Sequence, residues 1–138
     1  MHCNEISTGI VNDTLELMQG VKEVLLRLQQ SPADAAMANT IPDTTPAILN
    51  MANIYGCKHV VAFLFVTEGV LNRVRAAELR PKAELITLLL ICCEHVSTMV
   101  SQLANRDEIY LGHINRSHGL MRQLRAYHGN KVGHAAAA

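Results

Sequence analysis

Histidine and cysteine are the side chains of this chain that could ligate a metal or act as nucleophiles. Their spacing argues against both uses. Seven histidines and four cysteines are present. Cys92 and His95 stand three apart, which puts them on one helical face, but two ligands fall short of the four that structural zinc takes. His113 and His118 are five apart and do not share a face well. His59 falls near a helix start as a surface or capping residue, and His2, His128 and His134 lie toward the ends. No metal and no cofactor are therefore expected. Cys92 and Cys93 adjoin inside an apolar run, where cysteine acts as a small buried hydrophobe. A redox or metal sensor built on Cys92, Cys93 and His95 ranks last among the readings. Asn50 and Asn53, three apart, form either a solvated face or a polar docking patch. Arg73, Arg75, Arg80 and Lys82 read as a solvated helix end and loop.

The elements that carry these residues are helical. Val11, Leu15, Met18, Val21, Leu25 and Leu28 recur at three- and four-residue steps, and the helix ends at Gln30-Ser31-Pro32. A short helix from Ala47 to Tyr55 stops at Gly56, and another runs from Lys58 to Leu79. After Arg80-Pro81 comes a stripe of Leu85, Leu89, Cys92, Val96, Met99 and Leu103, alternating four and three like a bundle seam. The last helix spans Asp107 to Tyr127 with Leu111, Ile114, Met121 and Leu124. No stretch alternates with period two. The expected fold is all-α: an up-and-down four-helix bundle with an additional C-terminal helix, one domain over 1–128 and a flexible tail over 129–138.

Composition agrees. Of 138 residues 49% are hydrophobic and the net charge is zero, which argues against disorder and leaves no field to draw in nucleic acid or an anionic membrane. The longest apolar stretch, Leu85 to Cys93, is far shorter than the ~20 residues of a membrane span. Met1-His2-Cys3-Asn4-Glu5 has no basic segment with an apolar one behind it, so a cytoplasmic location is expected.

The stretch from Leu15 to Leu103 resembles the histidine-phosphotransfer (HPt) domain at the N-terminus of chemotaxis-type histidine kinases, the CheA family. Val24 to Asp34 is similar to the family's first helix and its exit; Gly56 followed by Val60-Val61-Ala62-Phe63 is similar to the step that opens its third helix. Glu68-Gly69-Val70-Leu71-Asn72-Arg73-Val74-Arg75 with Glu78-Leu79 resembles that helix's continuation. Leu85 to Val96 resembles the fourth helix, and Leu120 to Tyr127 resembles the fifth more weakly.

The family writes its acceptor as His-x-x-Lys-Gly-x-x-Gly-x-x-Gly. Counted back from Gly56, that window here begins at Pro46. Pro46 takes the His position, Leu49 the Lys position, and Asn50 and Asn53 two glycine positions. A His expected three residues before the acid appears as Phe65, while the acid is kept as Glu68. The acceptor machinery is lost on a kept scaffold, so no catalytic residue is assigned. A phosphoacceptor imidazole needs a carboxylate to orient it and a cation for the phosphoryl oxygens. Proline and leucine supply none of this. Pro46 also disfavours a helix interior by ~3 kcal/mol. The helix should start late, with Thr45 as N-cap and Pro46 first, leaving 38–44 irregular.

The resemblance implies a degenerate HPt-like domain in two-component, chemotaxis-type signalling. It would bind a response-regulator receiver domain or a histidine kinase as regulator or adaptor through Leu49, Asn50, Asn53 and Phe65, and would not be an enzyme. The alternatives are phosphotransfer through another histidine and a scaffold that forms homodimers through the vacated surface, where Leu49 and Phe65 would make an apolar patch.

Overall fold

The computed structural model describes residues 8–54, 57–105 and 111–128. They form six helices, α1 (Thr8–Gln30), α2 (Ala35–Ala38), α3 (Thr45–Ala52), α4 (Lys58–Arg75), α5 (Ala83–Ala104) and α6 (Leu111–His128), with no strand among the described residues. The all-α bundle expected from periodicity is what forms. The expected tail over 129–138, like Cys3 and residues 107–110 of the last expected helix, lies outside the described residues.

Each long helix buries the stripe its sequence carries. α1 turns Val11, Thr14, Met18, Val21, Leu25 and Leu28 inward. Its last carbonyls, on Arg27 and Leu28, accept the Ser31 N–H at 3.3 and 3.2 Å before Pro32 forbids another turn. α5 packs chiefly on α1, while α4 touches α3, α5 and α6. Phe63, Leu25, Leu64, Leu89 and Met99 are fully buried where these faces meet. Burial of each such side chain contributes roughly 1.5–3 kcal/mol, and that is the main force holding the bundle. α5 is also long and apolar enough to cross a membrane by length and composition, with 56% of its most apolar window buried inside the fold. The apolar stretch from Leu85 to Cys93 is shorter than this window, which continues across Glu94 and His95.

Several boundaries differ from expectation, among them the end of α3, which stops at Ala52 with Asn53 as C-cap rather than running to Tyr55. The stretch before α3 contains α2, a single turn started by the Asp34 carboxylate, which accepts the Met37 N–H at 2.9 Å. α4 ends at Arg75 rather than Leu79. There Ala77 adopts φ 63°, the Glu78 N–H reaches the Arg73 carbonyl at 2.8 Å and the Ala77 N–H reaches that of Val74 at 3.0 Å. These are the paired bonds of a Schellman stop, a left-handed position usually filled by glycine. An alanine there leaves no signal in the sequence.

Candidate functional site

Pro46 sits in the first turn of α3, where the helix has no use for the N–H that proline lacks. Thr44 is the N-cap, one residue earlier than expected. Its hydroxyl makes no capping bond; the Asp43 carboxylate instead accepts the Thr45 N–H at 2.9 Å. The Thr45 side chain first, and then that backbone bond, hold the Asp43 carboxyl below its ordinary pKa.

The Thr44 hydroxyl is committed elsewhere. Thr44 is completely buried, and both its Oγ1, at 2.7 Å, and its N–H, at 3.1 Å, donate to Glu68 Oε1. Arg75, two helical turns beyond Glu68 on the same face of α4, closes the cluster. Its Nη1 donates to Glu68 Oε2 at 2.9 Å and its Nη2 to Oε1 at 3.2 Å. The same guanidinium donates to the carbonyls of Ile41 at 2.8 Å and Pro42 at 3.1 Å, and to Asn72 Oδ1 at 3.2 Å. One planar cation thus clamps the carboxylate and the loop that leads into α3, a geometry suited to arginine's fork. Both side chains are nearly buried, 14% exposed for Arg75 and 13% for Glu68. Both oxygens of Glu68 accept from Thr44 or Arg75, three bonds on Oε1 and one on Oε2. Its role here is to anchor the 41–44 loop.

The Arg73 and Arg75 pair departs from the expected solvated helix end. Arg73 is 12% exposed, pairs with Glu78 at 3.5 Å and donates through Nη1 to the Tyr127 carbonyl at the end of α6. Arg80 and Lys82 are exposed, as expected.

The four residues expected to meet a partner are all exposed, Leu49 and Phe65 at 66% each, with Asn50 and Asn53. The structure does not gather them into one concavity. Pro46 and Asn50 line a groove of about 420 Å³ between α3 and α1, with Asp13, Glu16 and Leu17 opposite. Phe65 lines a second groove, between α4 and α6. The Asn50–Asn53 spacing fits the exposed face of α3, with Asn53 as its C-cap.

The remaining histidines and cysteines are mostly structural. His95 is buried, 2.7 Å from Ser117 Oγ through Nε2, and stands edge-on to Phe63 at 4.9 Å. Burial first, then the Arg116 and His113 charges, lowers its pKa to about 4, so the ring is neutral near pH 7. The Ser117 hydroxyl also donates to Met99 Sδ at 3.6 Å. His113 Nδ1 is 3.0 Å from Gln102 Oε1, and His59 is half-buried in the first turn of α4, whose N-cap is Cys57. Burial pushes the Cys92 and Cys93 thiols up to about 12, which removes the thiolate that metal binding or redox chemistry requires. Among the described residues no group of three or more His, Cys, Asp or Glu is placed to hold a metal ion. Sequence reasoning missed Arg75, Thr44 and Ser117. The seven-residue step from Glu68 to Arg75 was the available signal for the first.

An all-α bundle with a clamped carboxylate and, among the described residues, no cluster of three or more His, Cys, Asp or Glu is the class of protein the fold and site define. The chain is similar to the chemotaxis protein CheA of Listeria monocytogenes, 25% identical over 93 residues, which is 67% of this chain and 15% of that protein. The chemotaxis protein CheA of Listeria innocua is similar to the same extent. The match spans less than a sixth of either relative. No protein-family profile matches the chain, and no solved structure matches it.

Proposed function

We propose that this chain is a degenerate HPt-like domain of chemotaxis-type signalling, which docks a receiver or histidine-kinase domain in the cytoplasm as regulator or adaptor and takes no phosphoryl group. The similarity to CheA supports the signalling setting. The observation that carries the rest is Glu68. In the resemblance this carboxylate orients the acceptor imidazole; here Thr44 and Arg75 hold both of its oxygens, and the resemblance aligns Pro46 with the imidazole's position in the sequence. An exposed Leu49 in place of the family's lysine offers an apolar contact instead of a phosphate clamp.

Surface plasmon resonance against the receiver and kinase domains encoded by the same genome tests docking. Binding to at least one, weakened by Leu49→Ala, is expected, and binding to none refutes the proposal. Incubation with labelled kinase tests the second half. No acid-labile adduct should form; one that is lost on a single His→Gln change means that phosphotransfer runs through another histidine. Homodimerisation is the second reading, favoured by two large apolar side chains at 66% exposure. A dimer in light scattering that Leu49→Asp or Phe65→Asp dissolves would establish it.

A further inference from the structure

The groove between α4 and α6 has a character that its counterpart between α1 and α3 lacks. Phe65 stands 66% exposed at its edge. Ala62, Val66 and the nearly buried Met121 form its wall, around a space of about 440 Å³. Lys58 and Arg125 complete the lining, and no acidic side chain lines it among the described residues. Neither cation has an ion-pair or hydrogen-bond partner among the described residues. Lys58 is moreover the first residue of α4, whose opening turn contains no acidic residue. A cation at the positive end of a helix is unfavourable, and an incoming carboxylate would relieve it. The α1–α3 groove carries the opposite sign, through Asp13 and Glu16.

We propose that the α4–α6 groove docks an acidic amphipathic helix of a partner protein, with a large apolar side chain laid beside Phe65 and carboxylates one turn away facing Lys58 and Arg125. The groove combines the two things such a helix needs, an apolar slot for its anchor and a cationic rim for its flank. It also gives a use to an exposed phenylalanine on a helix whose inner face is already filled by Phe63, Leu64 and Val70. The assignment stands on this groove alone. It holds whether or not Leu49 and Asn50 meet a receiver domain across α3.

The test uses the full chain, labelled with nitrogen-15, and two synthetic 15-residue helical peptides of one apolar pattern. One carries Glu at its polar positions and the other Lys. The Glu peptide should shift the amides of Ala62, Phe65, Val66 and Arg125 and saturate, while the Lys peptide should leave them unmoved. Phe65→Ala should weaken the Glu peptide about tenfold, as loss of a central aromatic anchor does. Arg125→Glu should weaken it about threefold and admit the Lys peptide. Both positions are exposed, so both variants should melt with the parent. Equal binding of the two peptides, no binding of the Glu peptide at 1 mM concentration (roughly the weakest affinity of a specific site), or shifts confined to Asp13, Glu16 and Asn50 overturns the proposal. So does concentration-dependent self-association abolished by Phe65→Ala, which would give the groove to a second copy. Receiver binding by surface plasmon resonance is read separately, so its loss leaves this result intact.

Discussion

Removing the Arg75 guanidinium while keeping its apolar stem, as Arg75→Met does, isolates the clamp on the 41–44 loop. The substitution deletes two bonds to Glu68, at 2.9 and 3.2 Å, and two to the carbonyls of Ile41 and Pro42, at 2.8 and 3.1 Å. Breaking a buried ion pair from one side costs roughly 3–5 kcal/mol. Here Glu68 keeps both Thr44 donors, so the cost falls below that range, to about 2–3 kcal/mol. At a urea slope near 2 kcal/mol per molar, ordinary for a chain of this size, the unfolding midpoint should fall by about 1–1.5 M. Glu68→Gln should cost about 1–2 kcal/mol, and the double variant should cost less than the two combined, because each single change strands the other group. Amide exchange at Thr44 and Ala47 should quicken in Arg75→Met while that of the α5 core does not. A midpoint change equivalent to less than about 0.5 kcal/mol, or strict additivity in the cycle, would show that the carboxylate is not held by this arginine. The function proposed for Glu68 would then lose its support.

Three further outcomes are expected. His95 has a folded pKa lowered to about 4, below its unfolded value, so the neutral form is the one the fold binds. The stability this brings is complete above about pH 6.5 and shrinks as pH falls from there toward 4, by up to roughly 2–3 kcal/mol. Urea midpoints of the parent should therefore drop more steeply across that window than those of His95→Gln, and a ring titrating near 6.5 by NMR would contradict the reading. Ala77→Gly removes the cost of a left-handed alanine at φ 63° and should stabilise by about 0.5–1 kcal/mol, seen as a rise of a few degrees in melting temperature. In a Cys3→Ser background, Cys57, Cys92 and Cys93, all buried, should react with a thiol reagent at the rate of unfolding; reaction on mixing would refute their burial.

The helices were legible because burial imposes a period. The inward residues of α1 and α5 recur at three and four in the sequence and are the ones that pack against each other. The stop of α1 before Pro32 and the start of α5 just after Pro81 were legible for the same local reason, proline's missing N–H and fixed φ. The end of α4 was not. A Schellman stop on Ala77 carries no glycine, and the helical pattern through Leu79 continues past it. The single turn of α2 was missed too, although Asp34 offered a capping side chain for it.

In the candidate site the division is sharper. The residue types were decided by sequence alone: a proline, a leucine and two asparagines between Pro46 and Gly56, and a phenylalanine three residues before Glu68. Those types alone exclude nucleophilic phosphoryl chemistry at Pro46, since no fold can give proline a titratable nitrogen. What the acid does instead was decided only by tertiary structure. Arg75 reads in the sequence as one of four cations at a solvated helix end, but the chain path places the carbonyls of Ile41 and Pro42 and the hydroxyl of Thr44 around it and Glu68. These partners lie 24 to 34 residues away, beyond the range over which helical periodicity relates one residue to another. Which apolar residues remain in water is likewise a property of packing. Phe63 and Phe65, two residues apart, fall on opposite faces of α4 by period alone, but which face meets the core was decided by packing, with Phe63 edge-on to His95 of α5 and Phe65 66% exposed.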